Sequence, residues 1–504
     1  MSFASIVSMV DLITIIKALI FLYVLKYYYK YFTRKSPLPG PFPLPLIGNL
    51  HQIRLNPAQY AKEHRKKYGD MYEIWVGSNR FVVLSHPSLI HQIYAPNTKT
   101  IFFPRSEIKY FNGNGKFVVQ SLMTPRFLKS FIQLAQSLFN ENESYWDKKE
   151  YQIDFAKWIK CFTTDITLQT ITCKPSYCLN TYLFGENHDD PVRSEEIKRS
   201  VHFTKAVQTF LTNVLFQIFI PEVLKNYFPG FYHLNKKYKK NGDWLTETML
   251  DVIIKRRKEI DNMQSDEMIG SNLLDILLTL HTSRDPSGYD ESEPPLTDQE
   301  ICAIITEVSI AGIDTTGNTF CFAVWLLVKH PKVIARFREE ISEILGEDIS
   351  RQITYEDLEK FTYLDAIMKE STRVITLTPI SPRNSTQESI IGGKHLEANT
   401  KFLILHELIH KSPEFWENPD DFIPERFLKE TNNEIAKNTF IPFGGSTRMC
   451  PGRYMAMAEL KTLLILLFKK YDVELVDNVS KELKIQFTSV YECTEMKVLV
   501  RPKY

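Results

Sequence analysis

The sequence predicts a mainly α protein with a small β region, an α+β chain, preceded by one N-terminal transmembrane helix. Three patterns carry that prediction. Apolar residues recur at helical spacing through most of the chain beyond Leu84, most clearly after Thr297. Short β-rich runs are confined to Met71–Leu84. A mainly apolar segment opens the chain and is followed at once by tyrosines and lysines.

Composition bounds what such a chain can do. Its 504 residues carry 61 Lys+Arg against 60 Asp+Glu, a net charge of +1, which argues against a nucleic-acid partner. Apolar residues make up 44%, with 33 Phe and 24 Tyr, enough for a large packed core rather than a disordered chain. The seven cysteines are an odd number with no Cys-x-x-Cys pair, so neither a disulfide framework nor a zinc knuckle is expected. Cys161, Cys173, Cys178, Cys302, Cys321 and Cys493 read as small buried hydrophobes.

Taken in order, residues 1–25 form the anchor. From Phe3 to Leu25 only Asp11 and Lys17 interrupt an apolar run. At about 1.5 Å per residue, such a helix spans a hydrocarbon core of roughly 30 Å. An in-plane helix and a cleaved signal are the alternatives, the second disfavoured by the uncharged start. Residues 26–50 form a basic stop and a proline-rich hinge. Lys26, Lys30, Arg34 and Lys35 are interleaved with Tyr27, Tyr28, Tyr29 and Tyr31, as at a membrane interface with its positive side in the cytosol. Five prolines between Pro37 and Pro45 then exclude helix and predict a stiff extended segment.

Residues 51–504 read as one catalytic body. Met71–Val76 and Arg80–Leu84 form a hairpin around Gly77, Ser78 and Asn79. Ser283–Pro295 is polar and proline-rich, a surface loop. After it, Thr297-Asp-Gln-Glu300 is a capping box opening a helix that runs to His330, where Pro331 stops it. Mid-helix stands Ala311-Gly-Ile-Asp-Thr-Thr316. A helical Gly costs about 1 kcal/mol relative to Ala, and buried Asp and Thr need partners, so this stretch is either a functional site or a wedge or kink.

Near the C-terminus, Phe443-Gly444-Gly445-Ser-Thr-Arg448-Met-Cys450-Pro-Gly452 precedes a strong helical pattern from Arg453 to Lys470. Glycines admit a bulky flat group, Arg448 supplies a cation, and a Cys before a helix N-terminus is stabilised as thiolate, which can ligate iron. Glu370 and Arg373 sit at i, i+3 on one helix face, ordinarily a surface ion pair, yet their flanks Leu364–Met368 and Val374-Ile375 are mostly apolar and predict burial.

The set Phe-x-x-Gly-x-x-x-Cys-x-Gly with Arg448 two residues before Cys450 resembles the cytochrome P-450 superfamily, of the membrane-anchored eukaryotic type. Three further motifs follow the family's order: Ala311–Thr316 as its oxygen groove, Glu370-Ser-Thr-Arg373 as its Glu-x-x-Arg helix, and Pro424-Glu-Arg-Phe427 as the loop giving a second arginine. The resemblance covers roughly residues 37–504 and implies the cytochrome P-450 fold. It implies haem b as cofactor, ligated by Cys450 and contacted by Arg448, Phe443, Gly444, Gly452 and Arg383, for which a solvated turn residue is the alternative. Glu370, Arg373 and Arg426 become a structural triad. Asp314 and Thr315 become the proton-steering pair of a monooxygenase that inserts one oxygen atom of O2 into a lipophilic substrate.

The same resemblance implies electrons from an NADPH-cytochrome reductase, with cytochrome b5 as an optional second donor, and a single-pass endoplasmic reticulum protein facing the cytosol. It places substrate against Phe102-Phe103, the Phe203–Tyr238 region, Ile305–Gly312, Leu377–Ile380 and Val490-Tyr491. One departure stands out. The family's Trp-x-x-x-Arg helix, which holds haem propionates, has no counterpart between Phe111 and Phe127, a stretch without Trp and one to two turns short. Divergence and a missing segment both account for it, with Arg126 or Lys116 as substitute propionate partners. A haem-deficient, non-catalytic relative is therefore one rival reading, and a haem-thiolate isomerase or dehydratase another, the second opposed by Thr315.

Overall fold

The computed structural model describes residues 3–52, 57–95, 124–172, 174–184, 191–264, 272–285, 294–428, 438–445, 449–476 and 482–503. Their contacts divide the chain into a smaller unit, Met1–Ser106 with Phe216–Tyr232 and Ile380–Ile409, and a larger one, Glu107–Leu215, His233–Pro379 and His410–Tyr504.

The smaller unit is built on a four-stranded sheet. Met71–Val76 and Asn79–Leu84 pair antiparallel from Val76↔Asn79, so the turn is only Gly77-Ser78 and Asn79 already belongs to the second strand. Asn79–Leu84 then runs parallel to Lys401–Leu405, which pairs antiparallel with Ile380–Asn384. Tyr72, Ile74, Phe81, Val83, Leu403 and Leu405 bury one face. The β region is thus wider than Met71–Leu84: its other half lies three hundred residues later, in runs interrupted by Pro382 or only five residues long.

The N-terminal segment is one helix, Phe3–Phe32, so it runs beyond Leu25 through the tyrosines and lysines of the basic stop. Its far end has somewhere to pack. Tyr27 is buried and donates from its hydroxyl to the Gly77 carbonyl at 3.1 Å, and the rings of Tyr27 and Tyr31 meet Trp75 edge-on. Behind it sits Glu73, a carboxylate only 2% exposed. Arg34 Nε lies 2.7 Å from Glu73 Oε1, while Glu73 Oε2 accepts from Arg80 Nε at 2.8 Å and the Leu38 backbone at 3.2 Å. The proline segment is not helical, as expected, and lies on the first strand. At Gly40 a Cβ would come 2.1 Å from the Glu73 carbonyl oxygen, so only glycine permits that approach.

The larger unit is mainly helical. The capping box forms as read, with Thr297 accepting from the Glu300 backbone, and the helix spans Asp298–Lys329. Although long and apolar enough to cross a bilayer, this helix is mostly buried. We call it the central helix. It packs chiefly on Phe155–Thr172, with Thr362–Val374 and Arg453–Lys470 beside it. Smaller sheets close the unit: Gln152–Asp154, Lys497–Pro502 and Tyr471–Leu475 form one, Lys484–Phe487 and Tyr491–Glu495 another. Cys178, Cys302, Cys321 and Cys493 are buried and unbridged as expected, and Cys161 is half-buried; Cys173 and most of the predicted surface loop, residues 286–293, lie outside the described residues.

Glu73→Ala leaves Arg34 and Arg80 without their shared acceptor. We expect a loss of roughly 2–3 kcal/mol, read as a lower thermal midpoint, together with faster trypsin cleavage after Arg34 and Lys35; unchanged cleavage would show that the helix end is held by its tyrosines alone.

Candidate functional site

Cys450 stands just before the helix Arg453–Lys470 and is half-buried. Its backbone N–H donates to the Phe443 carbonyl at 2.9 Å, which folds the loop back on itself. Gly444 turns the loop with φ of +72°, a left-handed conformation that favours glycine, and donates to the Ile441 carbonyl at 3.1 Å. Gly452 is the N-cap, and a Cβ there would meet no atom within 4 Å. Cys450 thus lies two residues before the N-cap of an 18-residue helix, a position at which the helix dipole favours an anionic ligand atom. Arg448 lies outside the described residues.

What holds this loop begins at Glu370. Arg373 grips the Glu370 carboxylate with two parallel bonds, Nε to Oε2 at 2.7 Å and Nη2 to Oε1 at 2.8 Å, and both side chains are fully buried. Arg426 Nε adds a third bond to Oε1 at 3.0 Å and the Ile423 backbone a fourth at 2.9 Å. This is not a surface ion pair. The arginines spend their remaining donors on backbone: Arg373 on the carbonyls of His410, Pro419 and Asp421, Arg426 on those of Glu417 and Asn418. His410 carries the linkage onward. Its Nε2 accepts from the Ile441 N–H at 3.0 Å and its Nδ1 pairs with Thr376 Oγ1 at 2.9 Å. An Nε2 that accepts leaves the ring neutral, with the proton on Nδ1. Ile441 opens the turn that carries Phe443 and Gly444, so the triad reaches the cysteine loop through His410, a residue that no sequence pattern singles out.

On the central helix the mid-helix residues separate into two roles. Thr315 is half-buried and donates from Oγ1 to the Ala311 carbonyl at 2.5 Å. Around it, Ala311 is exposed and Gly312 half-buried although Ile310 and Ile313 are buried, so one face of a core helix is open at that level. Asp314 is buried, and its Oδ1 has no hydrogen-bond partner. Burial pushes its carboxyl up to about 6, with Lys160 pulling it down and Glu492 pushing it up. Gly312 also has a packing reason, since a Cβ there would lie 3.3 Å from Thr167 Oγ1 on the neighbouring helix.

Arg383 lies in the smaller unit. It is a buried strand residue in Ile380–Asn384, which overturns the solvated-turn alternative, and it donates to the Pro382 carbonyl at 2.8 Å with its guanidinium over the Tyr94 ring. Several positions expected to face substrate are core instead: Phe203, Phe210, Ile305 and Ile310 are packed in the main hydrophobic cluster, because the aromatic and aliphatic stripes serve helix packing. Phe102, Phe103 and the shortened stretch up to residue 123, Lys116 included, lie outside the described residues, as does the Arg126 side chain.

Whether these residues fit a haem can be judged locally. A cysteine at a helix N-terminus, glycines where the loop approaches, and an open Ala311–Gly312–Thr315 face on a buried helix suit a flat iron-bearing macrocycle with a soft axial donor.

Comparison with known proteins agrees with that chemistry. The cytochrome P-450 family model matches residues 38–492. Among curated relatives, norfluorocurarine oxidase of Strychnos sp is 28% identical over 94% of this chain and 93% of its own. Costunolide synthase of Tanacetum parthenium is 27% identical over 83% of each. Germacrene A acid 8-beta-hydroxylase of Helianthus annuus is 25% identical over 88% and 89%. The solved structure of retinoic acid bound cyanobacterial CYP120A1 superposes with a TM-score of 0.74 over 93% of this chain and 100% of that one, at 19% identity, a likeness of fold.

Two outcomes are expected at this site. Glu370→Ala strands two arginines and should cost about 3–5 kcal/mol, with denaturant unfolding as the measurement. Glu459, on the helix after Cys450, is fully buried with Oε1 unpartnered, and burial pushes its carboxyl from 4.5 up to about 8. A raised folded value means stability that is complete below 4.5 and is lost as pH rises through about 8. Glu459→Gln should flatten the thermal midpoint across that window, and an unchanged slope would place the proton elsewhere.

Proposed function

The chain belongs to the cytochrome P-450 family and is an enzyme of its monooxygenase type with haem as cofactor, and from that premise we propose that it inserts one oxygen atom of O2 into a lipophilic substrate using electrons from an NADPH-dependent reductase. The observation that carries this reading is Cys450, set at a helix N-terminus by its bond to the Phe443 carbonyl and braced through His410. Cys450 would ligate the iron, and Phe443, Gly444, Arg448, Gly452 and Arg383 would border the macrocycle. The bound haem supplies oxygen activation, with electron push from the thiolate.

The chain's own residues do the rest. The triad of Glu370, Arg373 and Arg426 fixes the loop that presents Cys450 and touches no substrate. Thr315, anchored on the Ala311 carbonyl, holds its hydroxyl on the open face of the central helix, and burial raises the Asp314 carboxyl to about 6, nearer the working pH than an ordinary Asp. General acids work best with a pKa near the working pH. A substrate such as a fatty acid, sterol or terpenoid suits the apolar and aromatic surroundings, and the relatives named for costunolide and germacrene A acid support a lipophilic class.

We place the protein in the endoplasmic reticulum membrane, spanning it once through residues 3–25 with the remainder in the cytosol. The exposed apolar side chains Ile16, Leu19, Ile20, Phe21 and Leu22 support that assignment. NADPH-cytochrome reductase is the proposed electron donor, with cytochrome b5 as a second.

The reduced, carbon monoxide-bound difference spectrum of the membrane-expressed protein tests this. A strongly red-shifted Soret band, lost in Cys450→Ala, is the expected result. Its absence from the unmodified protein would withdraw the enzyme reading in favour of a haem-deficient relative.

A further inference from the structure

Two cysteines far from the Cys450 loop are brought together by a carboxylate. Cys161 and Asp165 stand one turn apart on the helix Phe155–Thr172 and so share a face. From that face Asp165 reaches the short helix Cys178–Phe184, accepting the Cys178 N–H at 2.6 Å and the Leu179 N–H at 2.8 Å, donors that a first turn leaves without a partner in its own helix. One turn further on, the Tyr182 hydroxyl accepts the Asp154 N–H at 2.9 Å, so the short helix is tied to the long one at both ends. Between the two ties the thiols of Cys161 and Cys178 meet.

Their surroundings differ. Cys178 is 1% exposed and Cys161 is half-buried. The Cys161 thiol, and then burial, push the Cys178 thiol up, so it keeps its proton. That proton has an acceptor on a third helix. Cys178 Sγ lies 3.6 Å from Thr204 Oγ1, on the helix Pro191–Phe219. Thr204 spends its own proton on the Ser200 carbonyl at 3.0 Å, and Thr164, 3.2 Å from Thr204, spends its proton on the Lys160 carbonyl at 2.7 Å. With both hydroxyl protons committed, the Cys178 S–H is the donor to Thr204. A second thiol pair, Cys321 on the central helix and Cys493 on the strand Tyr491–Glu495, also meets, but both of its members are wholly buried.

We propose that Cys161 and Cys178 are an oxidative modification site, a dithiol that hydrogen peroxide closes to a disulfide, fastening the short helix to Phe155–Thr172 and releasing its hold on Pro191–Phe219. Peroxide reaches the half-buried Cys161. The O–O bond breaks, one oxygen joins Cys161 Sγ as a sulfenic acid, and the other leaves as water. Cys178 Sγ then attacks Cys161 Sγ; the S–S bond forms as the S–O bond breaks, and a second water carries off the thiol proton. Two electrons pass from the sulfurs to the peroxide. The S–H that Thr204 received is gone, and the chain between residues 161 and 178 is closed into a loop. In the cytosol the dithiol is the resting form.

Peptide mapping of the full chain without reductant tests this. After brief exposure to hydrogen peroxide and capping with N-ethylmaleimide in denaturant, Cys161 and Cys178 should be lost from alkylation together and should appear as one linked peptide that dithiothreitol separates. Cys321 and Cys493 should stay alkylated. Cys178→Ser should leave Cys161 as a sulfenic acid that dimedone traps, and Cys161→Ser should leave Cys178 a thiol. Amide exchange in the oxidised protein should slow across residues 178–184 and quicken around Thr204. Loss of the two thiols independently, with no linked peptide, would overturn the site. Equal linkage of Cys321 to Cys493 would overturn exposure of Cys161 as the selector, and unchanged exchange beside a formed link would overturn the release of Pro191–Phe219. Neither thiol belongs to the Cys450 loop: a linked peptide in a chain without the carbon monoxide band would keep this site and withdraw the enzyme reading, and an intact band without the link would do the reverse.

Discussion

The bidentate grip of Arg373 on Glu370 is the contact on which the cysteine loop depends. Two charges taken wholly out of water are unfavourable unless every donor and acceptor is used, and here they are: four donors converge on one carboxylate, and the arginines' other donors close on five backbone carbonyls. Those carbonyls belong to a segment, residues 410–421, with little regular structure of its own. The ion network substitutes for a sheet there. Through His410 it sets the height of Ile441, and through the Ile441 turn the position of Phe443, whose carbonyl receives the Cys450 N–H.

Some of this was legible in the residues. The capping box at Thr297 and the hairpin at Met71–Leu84 are local devices, complete within a few positions, and both formed where the spacing put them. Burial of Glu370 and Arg373 was legible from their apolar flanks. Other features are written nowhere locally. Ile380–Asn384 and Lys401–Leu405 become strands because each finds a partner edge, one across a parallel pairing to Asn79–Leu84 that closes more than three hundred residues. Glu73 looks like any strand glutamate until Arg34 and Arg80 are brought to it. His410 acts by which of its nitrogens is bare, a property of the surroundings rather than of the letter.

The mid-helix stretch Ala311–Thr316 shows how a broken local rule can have several causes at once. Gly312 gives room to Thr167, a packing reason; Thr315 spends its hydroxyl on its own helix, a local reason; Asp314 lines a polar cavity. Adjacent positions on one helix are about 100° apart, so one helix can seal a core with one face and wet another.

The unbroken helix Phe3–Phe32 carries a mechanical consequence. A chain of glycines and serines joining a membrane span to a folded body acts as a rope, and the body swings at its end. Here the last turns of the helix are keyed to Trp75, Gly77 and Ser78 by ring contacts and hydrogen bonds, and Arg34 is pinned at Glu73. A helix of 30 residues is a rod of about 45 Å. With one end in a bilayer, as proposed above, and the other keyed to a sheet, it would work as a stem, so tilting or thinning of the bilayer would turn the sheet with it.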